Sequence, residues 1–450
     1  MARKLTAGAA TSNITPRLGV SLNGGMSDRT AKHIHDELHA RCLVLDDGQT
    51  RIAVVVCDSC MIPRELCDAA KHVAHEATEL PLDRILISAT HTHTAPTVAG
   101  VFQSEPDEEY QEFLAQRIAD GIRRAVNNLA PAKIGWAVGR APDQVFNRRW
   151  HMNEAIGPDP FGRTSDKVKM NPPRASEALK EPAGPTDPEV CLLSVASPDG
   201  RPIALLANYS LHYVGDTGPG HVSADYFAIF ADRMQQLLSA DRLDPPFVGI
   251  MSNGTSGDIN NINFRQAAAR GAPYERMRRV AYDVADAAHA AMKEVRYHDW
   301  VPLGMREARL TLGRRLPPKA DVARAKAILA ASREPNLTRL EQVYARETVL
   351  MEAWPKDIEI VLQGVRVGEL GIAAIPCEVF VEIGLEIKKH SPLKPTFTIE
   401  LANGYAGYLP TEAQHALGGY ETWRARSSFL EEKAAGKIQD KVRELLKGLA

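Results

Sequence analysis

Cysteine is scarce in this chain, with six thiols in 450 residues. Cys42, Cys57, Cys60, Cys67, Cys191 and Cys377 are too sparse for a disulfide framework and match a compartment where thiols stay reduced. Cys57-Asp58-Ser59-Cys60 has the spacing of a redox or zinc pair, but no second pair accompanies it and it closes an apolar strand, so buried structural thiols are expected. Long apolar runs are also missing. Nothing approaches the roughly 20 residues of a membrane span, and Met1 to Gly8 lead into small and polar residues with no apolar core of signal-peptide length. A cytoplasmic location is the default expectation, with export by a removed signal as the alternative. Charge of one sign is lacking too: a net charge of −2 offers no electrostatic case for binding nucleic acid or an anionic membrane. With 44% hydrophobic and 24% charged residues, the chain can bury a large core, and disordered or collagen-like readings drop out.

What the sequence does contain is His91-Thr92-His93 at the end of the apolar run 84–90. Side chains alternate faces in an extended segment, so two histidines two apart project to the same side and can approach one cation. Solvated loop histidines are the alternative. The setting favours the metal, because a strand delivers the pair and Thr94-Ala95-Pro96 turns the chain at once.

Periodicity predicts strands at 41–45 and 51–57, a helix over 63–79, a strand at 84–88, a helix over 107–129 and a strand at 133–138. Residues 142–188, rich in proline, charge and small polar groups, are expected to form a long surface excursion. A hairpin over 191–196 and 202–209, a helix at 224–239, a strand at 247–251 and helices at 274–295 and 320–352 follow. Strands at 358–367, 369–375 and 396–401, with helices at 379–389 and 429–449, complete the pattern. Strands and helices interleave without an internal repeat or a convincing linker. The expected architecture is therefore α/β (or α+β), with layered mixed sheets flanked by helices in a single domain over 1–450.

Further candidates lie at strand ends, where open α/β sheets place their sites. The run 203–209 delivers His212, a natural third imidazole unless it is a core histidine satisfied by backbone. The run 372–376 ends at Glu378, whose burial among apolar residues would demand a charged partner; a surface carboxylate at a helix start is the alternative. Asn403 to Tyr408 carries two tyrosines three apart, and Tyr405 reads as packing. The small polar loop 251–260 could present backbone donors to an anion or be only a tight connection.

Taken in order, these segments resemble the catalytic domain of the neutral/alkaline, non-lysosomal ceramidases. Ala10 to Pro16 is similar to the family's Asp-Ile-Thr-Gly-Pro, and Thr90 to Pro96 to its Thr-His-Thr-His-Ser-Gly-Pro. The stretch His35 to Arg41 continues the match. Phe146-Asn147-Arg148-Arg149 resembles its Asn-Arg-Ser, and the segment around His212 and Asp225 its second histidine region. Pro376-Cys377-Glu378 resembles its Pro-Ala-Glu, and Asn403 to Thr411 with Gly419-Tyr420-Glu421 its tyrosine segment.

The resemblance implies zinc held by His91, His212, Glu378 and Tyr408, acting as a Lewis acid on a scissile carbonyl and on bound water. It leaves His93 free for proton transfer, gives Arg148 and Tyr420 as donors to the oxyanion, and makes Asp225 and His221 residues that orient ligands. Two departures matter. The family's Gly-Asp-Val-Ser-Pro-Asn loop is Gly257-Asp258-Ile259-Asn260-Asn261 here, which excludes a serine nucleophile at Asn260. The chain ends about where the catalytic domain does, so no carboxy-terminal immunoglobulin-like domain is expected.

The expected activity is zinc-dependent hydrolysis of an N-acyl amide bond in a small-molecule or lipid-like substrate, ceramide included. The alternatives are an esterase or lactonase on the same centre and a non-catalytic metal- or ligand-binding protein. An amidohydrolase-type barrel also uses His-X-His, but neither its regular strand-helix repeats nor its metal-bridging lysine is found in register.

Overall fold

A computed structural model of the chain describes residues 4–269, 271–332 and 336–450. The expected mixed α/β layering is what it shows. An eight-stranded sheet runs in the order Val248–Asn253, Pro202–Tyr209, Glu189–Ala196, Ala130–Arg140, Leu5–Asn13, His39–Asp46, Arg51–Cys57, Ile85–Ala89. Its middle is antiparallel, and the last pair at each edge is parallel. A four-stranded sheet, Leu303–Gly313, Asp357–Val367, Leu370–Ala374, Thr396–Ile399, packs against it and also ends in a parallel pair.

Alternation along the strands builds the layers. In Arg51–Cys57, Ile52, Val54 and Val56 face the four-stranded sheet and meet residues such as Val365 and Phe397, whereas Ala53, Val55 and Cys57 face the opposite way. That second face is covered by Arg64–Thr78 and Glu108–Asn127 over one half and by Asp225–Leu237 and Glu275–Ala291 over the other. The outer face of the small sheet is covered by Val381–His390 and Ala434–Lys447. The order of layers is helix, sheet, sheet, helix, each apolar face buried against the next.

The segment that follows Thr396–Ile399 joins both edges of the large sheet. Glu400 N donates to Asn253 O at 3.1 Å, while Ala89 N donates to Leu401 O at 3.2 Å and Asn403 N to Ile87 O at 2.7 Å. The large sheet therefore curls until its two edge strands, far apart in order, share one neighbour. The carboxyl ends of all the parallel strands come together at that place.

Three elements differ from the sequence expectation. Leu5–Asn13 is a central strand despite its small, weakly β-forming residues. The reason is close packing: a Cβ on Gly8 would lie 2.1 Å from Ala125 O of the covering helix. The helix expected over 320–352 is two, Lys319–Ala330 and Leu340–Leu350; residues 333–335 lie outside the described residues. A proline at 335 is incompatible with an uninterrupted helix interior. Residues 142–188 are not surface throughout. They carry a three-stranded sheet, Val168–Met170, Arg149–Met152, Leu179–Pro182, and they bury Asn147, Arg148 and Arg149. No helix among the described residues is long and apolar enough to cross a membrane.

Gly8→Ala is expected to destabilise the protein by about 1–3 kcal/mol through overpacking. Urea denaturation followed by circular dichroism measures it; an unchanged midpoint would show that the strand and helix separate freely.

Candidate metal centre

His91 follows Ile85–Ala89, His212 follows Pro202–Tyr209, and Glu378 follows Leu370–Ala374, so each lies just past the carboxyl end of a strand that belongs to a parallel pair. The fold brings all three together and buries them. His91 Nε2 is 3.0 Å from His212 Nε2 and 3.2 Å from Glu378 Oε2; His212 Nε2 is 3.9 Å from the same oxygen.

The hydrogen bonds around the rings decide what that meeting means. His91 Nδ1 lies 2.7 Å from Cys60 O, and His212 Nδ1 lies 3.1 Å from Ser256 O. A carbonyl can only accept, so each Nδ1 carries the proton and each Nε2 presents a lone pair to the other. Glu378 Oε1 accepts from the Tyr405 hydroxyl at 2.9 Å, while Oε2 is buried with no donor in good hydrogen-bonding geometry. Unless His91 holds a second proton, three lone pairs thus face one point among buried groups, an arrangement that is costly without a cation among them. A tetrahedral zinc, with bonds of about 2.0–2.1 Å, sets its donor atoms roughly 3.3 Å apart. The two separations from His91 fit such an ion, and the third, 3.9 Å between His212 and Glu378, is wider.

Electrostatics agree. Burial opposes charge on His91, yet Glu378 together with Cys60 holds its pKa well above the ordinary histidine value. His212 and His93 are pushed well below it, by burial first and then by the neighbouring His91. The cluster therefore concentrates positive charge at one place, where a divalent ion in place of the His91 proton would satisfy all three donors.

His93 Nε2 lies 3.1 Å from His91 Nε2, and its ring stacks on Tyr213 at 3.6 Å between centroids. Arg148 donates from Nη2 to the Tyr408 hydroxyl at 3.0 Å and to Gly257 O at 2.8 Å. Burial raises the Tyr408 pKa well above that of an ordinary phenol and Glu378 adds to the effect, so the hydroxyl stays protonated while no ion is bound. Tyr420 packs edge-on to Tyr408 at 5.8 Å. His93, Tyr405, Tyr408 and Tyr420 line, with Glu378 and His91, a narrow recess of about 30 Å³ whose remaining wall includes Asn23, Met61, Val101 and Phe102. Past Gly24, Gly25 and His93 a wider groove of about 470 Å³ is edged by Arg29, Tyr213 and Asp216.

Not every expected residue is in place. His221 is absent from the centre: its Nδ1 is 2.6 Å from the Tyr274 hydroxyl and its ring lies among His33 and His35. Asp225 accepts from the backbone of Val214, Gly215 and Tyr226, so it shapes the turn after His212 rather than touching an imidazole. Most of the donors of the loop 254–259 are engaged. Gly254, Thr255, Ser256, Gly257 and Ile259 all spend their N–H groups inside the protein, and what faces the centre is the carbonyls of Ser256 and Gly257. Gly257 is required there, since a Cβ would lie 2.6 Å from Glu378 O. Asn260 hydrogen-bonds Asn171.

Sequence reasoning missed three residues. Tyr405 serves Glu378 directly and is more than packing. Glu400, fully buried, accepts from Ser256 Oγ at 2.5 Å and from the backbone of Ser256 and Val379, fixing the loop whose carbonyl holds His212; burial raises its pKa to about 8. Glu421 accepts from Arg148 Nε at 2.9 Å and Arg149 Nη1 at 2.6 Å with no exposure of its own. Its only signal was adjacency to Tyr420.

No family model matches the chain. Among solved structures it is similar to the neutral ceramidase of Pseudomonas aeruginosa, with a TM-score of 0.71 and 16% identity over 100% of this chain and 75% of that one. A ceramidase complexed with C2 aligns over the same shares with a TM-score of 0.73 and 15% identity. The fold is that of a neutral ceramidase, in keeping with the ordered motifs of the sequence.

Glu421→Ala leaves two buried guanidinium groups without a counter-charge and is expected to cost about 3–5 kcal/mol. Chemical denaturation measures this; a loss below about 1 kcal/mol would mean that solvent reaches Arg148 and Arg149.

Proposed function

We propose that the protein is a zinc-dependent hydrolase that cleaves an N-acyl amide bond, with His91, His212, Glu378 and Tyr408 holding the ion. The observation that carries this reading is the convergence of two buried imidazole nitrogens and a buried carboxylate oxygen beside a buried arginine and a recess that leads to a groove. When bound, zinc supplies Lewis acidity toward a carbonyl and toward water.

The chain's own residues do the rest. His93, kept neutral by its surroundings, has its Nε2 aimed at the same point and is the group to take a proton from water and return it to the leaving amine. Arg148 remains a cation: burial opposes its charge, but Tyr408 and Glu421 hold the pKa well above the usual arginine value. Its ion pair with Glu421 fixes the guanidinium before substrate arrives, so it can meet negative charge on the carbonyl oxygen without reorganising. Tyr420, on the same cavity wall, is the second donor. Met61, Val101 and Phe102 form an apolar side for the acyl group, and the polar groove beyond His93 receives the rest of the substrate.

The fit to ceramidases supports the amide bond as the target. The recess beside the donors, about 30 Å³, adjoins through Gly24, Gly25 and His93 a groove of about 470 Å³, a volume within the about 300–1,000 Å³ typical of small-molecule sites.

A panel of N-acyl amides of increasing chain length, with matched esters, tests the assignment. Zinc-loaded protein is expected to hydrolyse amides, and the dependence on chain length reads out how much acyl chain the groove takes. His91→Ala should abolish turnover together with zinc retention, and Arg148→Ala should lower kcat by roughly two to three orders of magnitude with zinc content unchanged. No turnover of any member by the zinc-loaded protein would instead indicate a binding protein.

A further inference from the structure

A second group of histidines lies outside the centre and has no part in the chemistry above. His33–Ile34 is a short strand paired in parallel with His221–Val222, and the pairing sets His221 directly opposite His33. His33 and His35 are two apart in this extended run, so their rings leave the same face. The His221 ring meets both, with centroids 4.6 Å from His33 and 6.2 Å from His35. One ligating nitrogen from each of the three lies within 4.8 Å of the other two.

Two of the rings are already oriented. Tyr274 stacks on His35 at 3.6 Å between centroids, and its hydroxyl lies 2.6 Å from His221 Nδ1. In the tautomer whose Nδ1–H donates to that oxygen, His221 Nε2 carries the lone pair. His33 and His35 are exposed, which leaves the His33 ring room to turn toward the other two; the donors of a tetrahedral ion lie roughly 3.3 Å apart.

We propose that His33, His35 and His221 form a second, solvent-facing site for a divalent ion of borderline softness, of the zinc, copper or nickel class. Three neutral imidazoles suit such ions better than magnesium or calcium, which require oxygen donors. The remaining coordination positions face water. An ion there would tie residues 33–35 to the far end of the loop 210–221, the loop that carries His212 and Tyr213 into the buried centre and lends Gly215, Asp216 and Thr217 to the rim of its groove. The site would thus brace the groove without joining the reaction.

Equilibrium dialysis of tag-free protein against buffered zinc, with bound metal quantified, tests this. Two ions per chain are expected for the wild type, one for His33→Ala/His221→Ala, and one for His91→Ala. Retention of the wild-type circular dichroism spectrum shows that the variants fold, and His35→Gln alone should weaken the second binding step. One ion in the wild type that persists in the double variant would overturn the surface site while leaving the buried centre intact. One ion lost only in the double variant would instead refute the buried centre and uphold this site.

Discussion

Two imidazole nitrogens and a carboxylate oxygen pointed at one another in a dry interior are the constraint around which this structure is arranged. Each ring has its other nitrogen committed to a main-chain carbonyl, Cys60 O for His91 and Ser256 O for His212, so neither can rotate its lone pair away without losing a buried hydrogen bond. Glu378 is likewise pinned through Tyr405. The carbonyls are fixed in turn, Ser256 through the buried Glu400. The order is built from outside inward, which is how a protein holds ligand geometry before the ligand arrives.

The curl of the eight-stranded sheet makes that meeting happen. His91 and His212 leave strands separated by five others in the sheet, and a flat sheet would keep them far apart. The segment Glu400 to Asn403 bonds to both edges and draws them to the small sheet that supplies Glu378, Tyr405 and Tyr408. Loop-borne functional groups on a rigid scaffold are usual in α/β proteins. Here the scaffold's closure, more than any one loop, sets the distances.

Much of this was legible in the sequence. His91 and His93 stood out because strand alternation makes His-X-His a same-face pair, and Glu378 because a carboxylate that follows an apolar strand needs a partner. Arg148, Tyr408 and Tyr420 came from the ordered resemblance, since no local period marks them. Other features were hidden for physical reasons. Tyr405 was taken for packing because a tyrosine can pack and hydrogen-bond at once. Glu400 and Glu421 look like surface carboxylates until the chain folds over them, and burial is a property of long-range contacts. Leu5–Asn13 has only Thr6 and Thr11 as β-branched residues among small ones, and a helix presses on its face at Gly8. The misplacement of His221 has the same root: two histidine clusters share one stretch of chain, and only the pairing of His221 with His33 shows to which it belongs.

The reading of the centre as a zinc site meets its most direct test in anomalous diffraction at the zinc edge from crystals of the zinc-loaded protein. A peak bonded to His91 Nε2, His212 Nε2 and Glu378 Oε2 is the expected result. Density at full loading that leaves those three atoms without a metal, with the two imidazoles turned apart, would contradict it.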